Sequence, residues 1–451
     1  MRDNELAIAL LAIIVCISGF AQAAEQPLPR LTLISNVNIF DGKTEKLHKN
    51  MHVLIKGNLI ETVSDEPLAV IQTDNVTMIE GGGRILMPGM IDAHWHSLFA
   101  TVPMPKLLQS DLSYLTLVGA KANREALMRG FTTVRDVGGN VFALKEATDE
   151  GVINGPRIYP SGSYISQTGG HGDFLGRHDT PTEPCRNLSY LEKAGVTIIA
   201  DGVPEVRKRA REIMRAGASQ IKVMAGGGVS SFYDPIDVTQ YSLDEMKAIV
   251  EVAESYNTYV LVHAFTPHSI HQAVEAGVKC IEHGHLLDEQ TLKLMAEKDV
   301  WLSMQPLLDD EDAIPFPEGS ENRRKYVEVT DGTDNVYSIA KKLNVKTAWG
   351  TDTLFDPDLA KKQGKLVAKM KRWYEPHEIL KMVTHDNAQL LKLSGPRDPY
   401  PGNLGVIEVG AYADLIIVDG NPLENIDLVA DPQKNFVMIM KDGKVYKNTV
   451  Q

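Results

Sequence analysis

Cysteine is scarce. Cys16, Cys185 and Cys280 are the only three in 451 residues, too few for a disulfide framework, and none sits in a metal-type cluster. Basic residues are in the minority, 46 Lys and Arg against 59 Asp and Glu, and the net charge of −13 repels phosphate backbones and anionic membrane surfaces. No nucleic-acid partner is therefore expected. No repeat of fixed period and no low-complexity tract occurs, which excludes solenoid and fibrous architectures. Beyond the first two dozen residues no apolar run reaches membrane-spanning length.

The composition is that of a packed globular protein, 43% hydrophobic and 23% charged, with 36 Gly and 23 Pro. Its length exceeds what one hydrophobic core organises, so a large domain with a smaller companion is expected. The apolar stretch from Leu6 to Ala21, ending in Ala21-Gln22-Ala23, fits the hydrophobic region and small-residue cleavage rule of a secretory signal. A periplasmic or secreted protein follows, with no membrane association after cleavage. The positive leading segment is weak, Arg2 being offset by Asp3 and Glu5, so an uncleaved anchor is the alternative.

Both ends of the mature chain read as short strands separated by turns. LTLISNVNIFDG and MHVLIKGNLIETV lie near the start, and GVIEVGAYADLIIVDGNPL and NFVMIMKDGKVYKN follow a Pro-rich boundary at Pro396 to Pro401. The two ends are expected to combine in one small β-sandwich. Between them, eight short apolar runs alternate with helical patterns: MIDAHWH, TTVRDVG, PRIYPSG, SQIKVMA, YVLVHAF, CIEHGH, VWLSMQP and VKTAWGTD. Leu243, Met246, Ile249, Val250 and Ala253 exemplify the helical spacing. Eight strand–helix alternations predict an α/β fold, a parallel (β/α)8 TIM barrel. An open doubly wound sheet would carry a Gly-rich phosphate turn after its first strand, and MIDAHWH has none. The expected divisions are a signal at 1–23, sandwich strands at 24–84, the barrel at 85–395 and the remaining sandwich strands at 396–451.

His94 and His96 are one residue apart on the first run, so both project from one face of a strand and can converge on one metal ion. Lys222 sits among Ile221, Val223 and Met224, just before Ala225-Gly226-Gly227-Gly228. Desolvation disfavours an ammonium there, and a neutral amine can add carbon dioxide to form an anionic carbamate able to bridge two cations. His263, His283 and Asp352 end the fifth, sixth and eighth runs. The C-terminal ends of barrel strands face one common mouth, so six metal-competent side chains from five strands are expected to meet there.

PGMIDAHWHS, IKVMAGGG, LVHAF, IEHGH and WGTD together resemble the metal-dependent amidohydrolase superfamily over essentially the whole mature chain, as does Ala413-Asp414-Leu415-Ile416-Ile417 in the flanking sheet. FTTVRDVGG, Gly170-His171-Gly172-Asp173 and GGGVSSFYDPIDVTQYS are similar to the Xaa-Pro dipeptidase and aminoacyl carboxypeptidase branch, related to imidazolonepropionase and to the fungal ochratoxin amidase. The resemblance implies two divalent metal ions, zinc being the expected one. His94, His96 and Asp352 would hold one, His263 and His283 the other, with Lys222 as N6-carboxylysine and a hydroxide bridging both. Asp352 would move the proton, and His171 would donate to the scissile carbonyl. Tyr241 resembles the contact to a substrate carboxylate, with Tyr233 and Arg177 as alternatives.

The expected activity is hydrolysis of an amide or peptide bond in a small carboxylate-bearing substrate, such as an Xaa-Pro or other dipeptide or an N-acyl amino acid. A cyclic-amide hydrolase of the imidazolonepropionase kind, a mononuclear deaminase-like enzyme and a non-catalytic scaffold are the alternatives. His285 either faces the pocket or backs a ligand, His385 reads as structural, and the acidic run Asp309 to Asp312 reads as a solvated loop near the mouth. A homo-oligomer is left open.

Overall fold

A computed structural model describes residues 29–71, 73, 75–179, 188–231 and 233–450. The expected signal, Cys16 and Cys185 lie outside the described residues. The chain begins with β1 (Leu31–Ile39), β2 (His48–Lys56), β3 (Leu59–Ser64), β4 (Val76–Glu80) and β5 (Ile85–Pro88). Ten strands separated by helices and loops follow: β6 (Met90–Trp95), β7 (Phe131–Asp136), β8 (Arg157–Pro160), β9 (Tyr164–Ser166), β10 (Thr197–Ile199), β11 (Ile221–Met224), β12 (Val260–Ala264), β13 (Cys280–His283), β14 (Trp301–Met304) and β15 (Thr347–Trp349). The chain closes with β16 (Leu415–Val418), β17 (Phe436–Lys441) and β18 (Lys444–Asn448).

The two ends meet in one eight-stranded mixed sheet, ordered β18-β17-β16-β5-β1-β2-β3, with β4 also paired to β1. Bulges split β1, so that its first half pairs with β4 and its second half with β5. The expected sandwich is thus one continuous hydrogen-bonded path around its own apolar cluster, which includes Ile34, Val37, Ile55, Leu86, Leu415 and Met438. Pairing of β5 with β1 and β16 carries this sheet to Pro88, past the expected boundary at residue 84.

The strands β6 to β15 pair only in parallel, in a three-stranded sheet β6-β7-β8 and a seven-stranded sheet β10-β9-β11-β12-β13-β14-β15. Each of the eight apolar runs contains one of these strands. The three-residue strands β9 and β10 had no sequence counterpart, because a period of two is not legible over so few residues. Most of the ten are buried on both faces, as parallel strands flanked by helices must be. The helix Leu243–Ser255 covers one such face, and Ser242 and Glu245 form a capping box at its start.

Hydrogen bonds also join the two sheets to each other. Ser219 N–H donates to Pro160 O (2.8 Å), and the Gln220 amide reaches Tyr159 O (3.1 Å), linking β11 to β8. Asn387 Nδ2 bridges Ile91 O (2.7 Å) and Trp349 O (2.8 Å), linking β6 to β15. The C-terminal ends of β6, β11, β12, β13 and β15 consequently approach one another. Among the described residues no helix is long and apolar enough to cross a membrane.

Candidate active site

Strand alternation turns His94 and His96 to the same side of β6 and its exit. Asp352 meets them from just beyond β15, its Oδ1 lying 3.1 Å from His94 Nε2 and 3.3 Å from His96 Nε2. These three form the one group of three or more His, Cys, Asp or Glu side chains among the described residues whose ligand atoms lie close enough to share a metal ion. The other ring nitrogens are occupied: His94 Nδ1 on Glu282 Oε2 (2.6 Å) and His96 Nδ1 on Gly138 O (3.4 Å). With the ring protons given to those acceptors, two imidazole lone pairs and a carboxylate oxygen point at one another. Only a proton or a cation between them relieves that repulsion.

Asp352 takes a left-handed backbone, φ 48°, at the turn after β15. The turn packs so tightly on β6 that a Cβ on Gly350 would fall 2.6 Å from the His94 backbone nitrogen. The histidine partners outweigh burial and hold the Asp352 carboxyl well below its usual range. Burial lowers His94, but Asp352 and Glu282 outweigh it and raise its affinity for a proton.

His263 and His283 stand beside the triad, their rings 4.4 Å apart and edge-on. His263 Nε2 meets Gly227 O (3.0 Å), and His283 Nδ1 meets Gln305 Oε1 (2.7 Å). Burial holds both rings well below the ordinary imidazole range, so both are neutral and each keeps a lone pair. His283 departs from strand alternation. Glu282 pairs in register with His263 and Ser303 and faces the interior with them, so the next residue should face outward. A φ of 78° at His283 turns its side chain back into the site.

Lys222, 2% exposed on β11, also lines the cavity, and among the described residues it has no hydrogen-bond or ion-pair partner. Burial pushes its pKa down to about 8. A buried amine without a partner is costly as an ammonium, and its chemistry suits the neutral, nucleophilic form.

His171 stacks on His263, with ring centroids 4.1 Å apart. Its Nδ1 lies 2.8 Å from Ser231 Oγ and 3.4 Å from Asp234 Oδ2, which leaves Nε2 without a partner among the described residues. Only glycine fits at 228, since a Cβ there would lie 1.9 Å from the His171 ring. Lys325, fully buried, ties this loop to the helix Glu321–Thr330 by donating to the carbonyls of Gly228, Ser231 and Asp234.

The site floors a cavity of about 380 Å³ whose walls are largely apolar, with Phe99, Met224, Phe265, Leu307, Phe316 and Phe355 prominent. Tyr241, expected at a substrate carboxylate, does not reach it. The side chain is buried elsewhere, and its hydroxyl donates to Ala200 O (2.9 Å). Arg177 and Tyr233 line a neighbouring depression, the guanidinium 5.4 Å from the ring centre.

His285 is fully buried, meets Gln305 O through Nε2 (3.0 Å) and backs the site without lining it. His385 pairs with Asp386 at 2.8 Å, away from the cavity. The acidic run is a loop with Asp309 and Glu311 exposed, as expected, but it is also ion-paired: Asp309 holds Arg323 (2.8 Å), Asp310 holds Lys369 (2.9 Å) and Asp312 holds Lys362 (2.7 Å). These pairs anchor the segment carrying Leu307 and Phe316 over the cavity. Sequence reasoning missed Arg135, Glu282 and Gln305, although the first two stand inside the FTTVRDVGG and IEHGH motifs.

Known proteins share this sequence pattern and fold. Ochratoxinase of Aspergillus niger is 32% identical over 437 residues, covering 93% of this chain and 87% of the relative. A crystal structure of a prolidase complexed with N-methylphosphonate-L-proline superposes with a TM-score of 0.84 at 36% identity, covering 93% of this chain and all of that one. A Xaa-Pro dipeptidase crystal structure with bound methionine gives 0.78 at 27% identity over the same shares. The Amidohydrolase family model matches residues 85–448, from the last strand of the first segment to the end of β18. The chain belongs to the amidohydrolase family and is a hydrolase acting on carbon–nitrogen bonds.

Proposed function

We infer that the protein is a binuclear zinc-dependent amidohydrolase whose two parallel sheets close as a (β/α)8 barrel. It cleaves the amide of a small carboxylate-bearing substrate, a dipeptide such as Xaa-Pro or an N-acyl amino acid. The carrying observation is the convergence of His94 Nε2, His96 Nε2 and Asp352 Oδ1 beside a buried lysine that has no hydrogen-bond partner among the described residues. The donor set fits the group. Three acceptors demand a cation, and among the described residues His263 and His283 form no such three-residue group, which a carbamate on Lys222 would complete. Carbamate formation balances simply: the neutral amine adds to carbon dioxide, forming an N–C bond, and releases one proton.

Bound cations would polarise the amide carbonyl and lower the pKa of a water. The protein's own groups do the rest. Asp352 takes the proton of the attacking water and returns it to the leaving nitrogen as the C–N bond breaks. His171, held through Nδ1 by Ser231 and Asp234, offers Nε2 to the carbonyl oxygen as negative charge develops there. The apolar walls take the side chain of the acyl part and exclude water. The substrate carboxylate lies toward Arg177 and Tyr233. The leader sequence supports a periplasmic or secreted location.

The deciding experiment is metal analysis of protein expressed with zinc and bicarbonate, together with a panel of dipeptides and N-acyl amino acids. Two zinc ions per chain and turnover of panel members are expected. Two zinc ions without turnover would refute the substrate class. Among the described residues a single complete His/Asp triad is present, which favours a second possibility, a one-cation cyclic-amide hydrolase of the imidazolonepropionase kind. One zinc per chain with turnover of a cyclic amide would establish it.

A further inference from the structure

Arg135 on β7 and Glu282 on β13 are both fully buried in the interior of the parallel sheets. Withdrawing two opposite charges from water costs more than their attraction returns unless their remaining hydrogen-bonding capacity is also used. Here it is used. Arg135 Nη2 donates to Glu282 Oε1 (2.6 Å) and Ser303 Oγ (3.2 Å), Nη1 to the Tyr259 hydroxyl (3.1 Å) and Nε to Ala93 O (2.6 Å). Cys280 Sγ supplies a further contact to Glu282 Oε1 (3.0 Å). Glu282 Oε2 is then left for one partner, His94 Nδ1, at 2.6 Å.

The consequence is directional. An ionised carboxylate only accepts, so the proton of His94 resides on Nδ1 and the lone pair on Nε2, aimed at Asp352 Oδ1 and His96. We propose that Glu282, aimed by Arg135, is a positioning residue that fixes the tautomer and ring plane of His94 and so sets the cation affinity of the His94, His96 and Asp352 position. The assignment rests on the inference that this triad holds a cation. Its geometry is that of a carboxylate orienting a ligand histidine from behind. The register strengthens it. Glu282 is level with His263 and Ser303 on the neighbouring strands, so the pair forms the floor of the site and not a remote ion pair.

The test compares the full-length wild-type chain, Glu282→Gln, and the double variant Arg135→Met/Glu282→Met, each stripped with a chelator and titrated with Co2+. Binding is read by equilibrium dialysis and by the visible absorption of the bound ion, and folding by circular dichroism melting. The double variant removes both charges, so it leaves no uncompensated ion and remains informative if Glu282→Gln does not fold. Both variants are expected to bind one Co2+ about 10- to 100-fold more weakly than wild type, with an altered absorption spectrum. A folded double variant with wild-type affinity and spectrum would overturn the proposal and reduce Glu282 to a partner for Arg135. A wild-type chain that binds no Co2+ would instead overturn the cation-binding inference on which the proposal rests.

Discussion

Asp92 on β6 binds Thr351 twice across the junction with β15: its Oδ1 accepts the Thr351 amide (3.1 Å) and its Oδ2 the Thr351 hydroxyl (2.7 Å). The same carboxylate accepts the His94 amide (3.0 Å) and Gln363 Nε2 (2.9 Å). One buried side chain with four donors thus sets the spacing between the strand that carries His94 and the turn that carries Asp352. Asp92→Asn places an amide N–H against donors and leaves one of them unpaired. The expected result is a loss of about 1–3 kcal/mol in urea unfolding, accompanied by lower zinc content per chain. Unchanged stability and zinc content would show that the junction is held by other contacts.

Lys222 offers a pH test in the metal-free chain. Burial holds its folded pKa at about 8, below the 10.5 of a solvated lysine. The unfolded chain therefore binds more protons between those values, and Lys222 makes stability rise as pH increases through that window. The neutral amine that adds carbon dioxide grows from about a tenth at pH 7 to about nine-tenths at pH 9. Reactivation of stripped protein by bicarbonate and zinc should accelerate across this range. In the proposed two-zinc centre, Lys222→Ala should remove both the bicarbonate dependence and one zinc ion, as measured by atomic emission.

His171 should act on the transition state more than on binding. His171→Asn is expected to lower kcat by about 10²- to 10³-fold, with KM and zinc content near those of wild type. Steady-state kinetics and metal analysis together check this. A change confined to KM would make His171 a binding residue.

The apolar walls predict a graded preference. Each methylene added to a straight acyl chain contributes about 0.8 kcal/mol when buried, roughly fourfold in kcat/KM. An N-acyl amino acid series from acetyl to hexanoyl should climb by about that factor per step until the cavity of about 380 Å³ is filled. A flat series would place the acyl chain outside these walls.

Legibility in the sequence followed periodicity. His94 and His96 are two apart on a strand, and Lys222, His263 and Asp352 stand at or just beyond strand ends, so alternation and strand polarity were enough to group them. His283 lines the same cavity, but alternation alone would turn it away beside the inward-facing Glu282, and the reversal comes from its positive φ. Tyr241 was misjudged because motif position says nothing about where a phenol finds its acceptor, and Ala200 O is remote in sequence. The ion pairs of the acidic run were not legible because Arg323, Lys362 and Lys369 come from later in the chain.

The sequence by itself determined the alternation of parallel strands and helices, the joining of the two chain ends and the choice of metal-competent side chains. Each depends on residue type and local spacing, which a linear pattern carries. Only the tertiary structure decided which lone pairs converge, which ring nitrogen of His94 keeps its proton, and that Arg135 and Glu282 lie beneath the site. Those outcomes depend on ångström-scale distances and desolvation between strands more than a hundred residues apart, and no local pattern encodes either quantity.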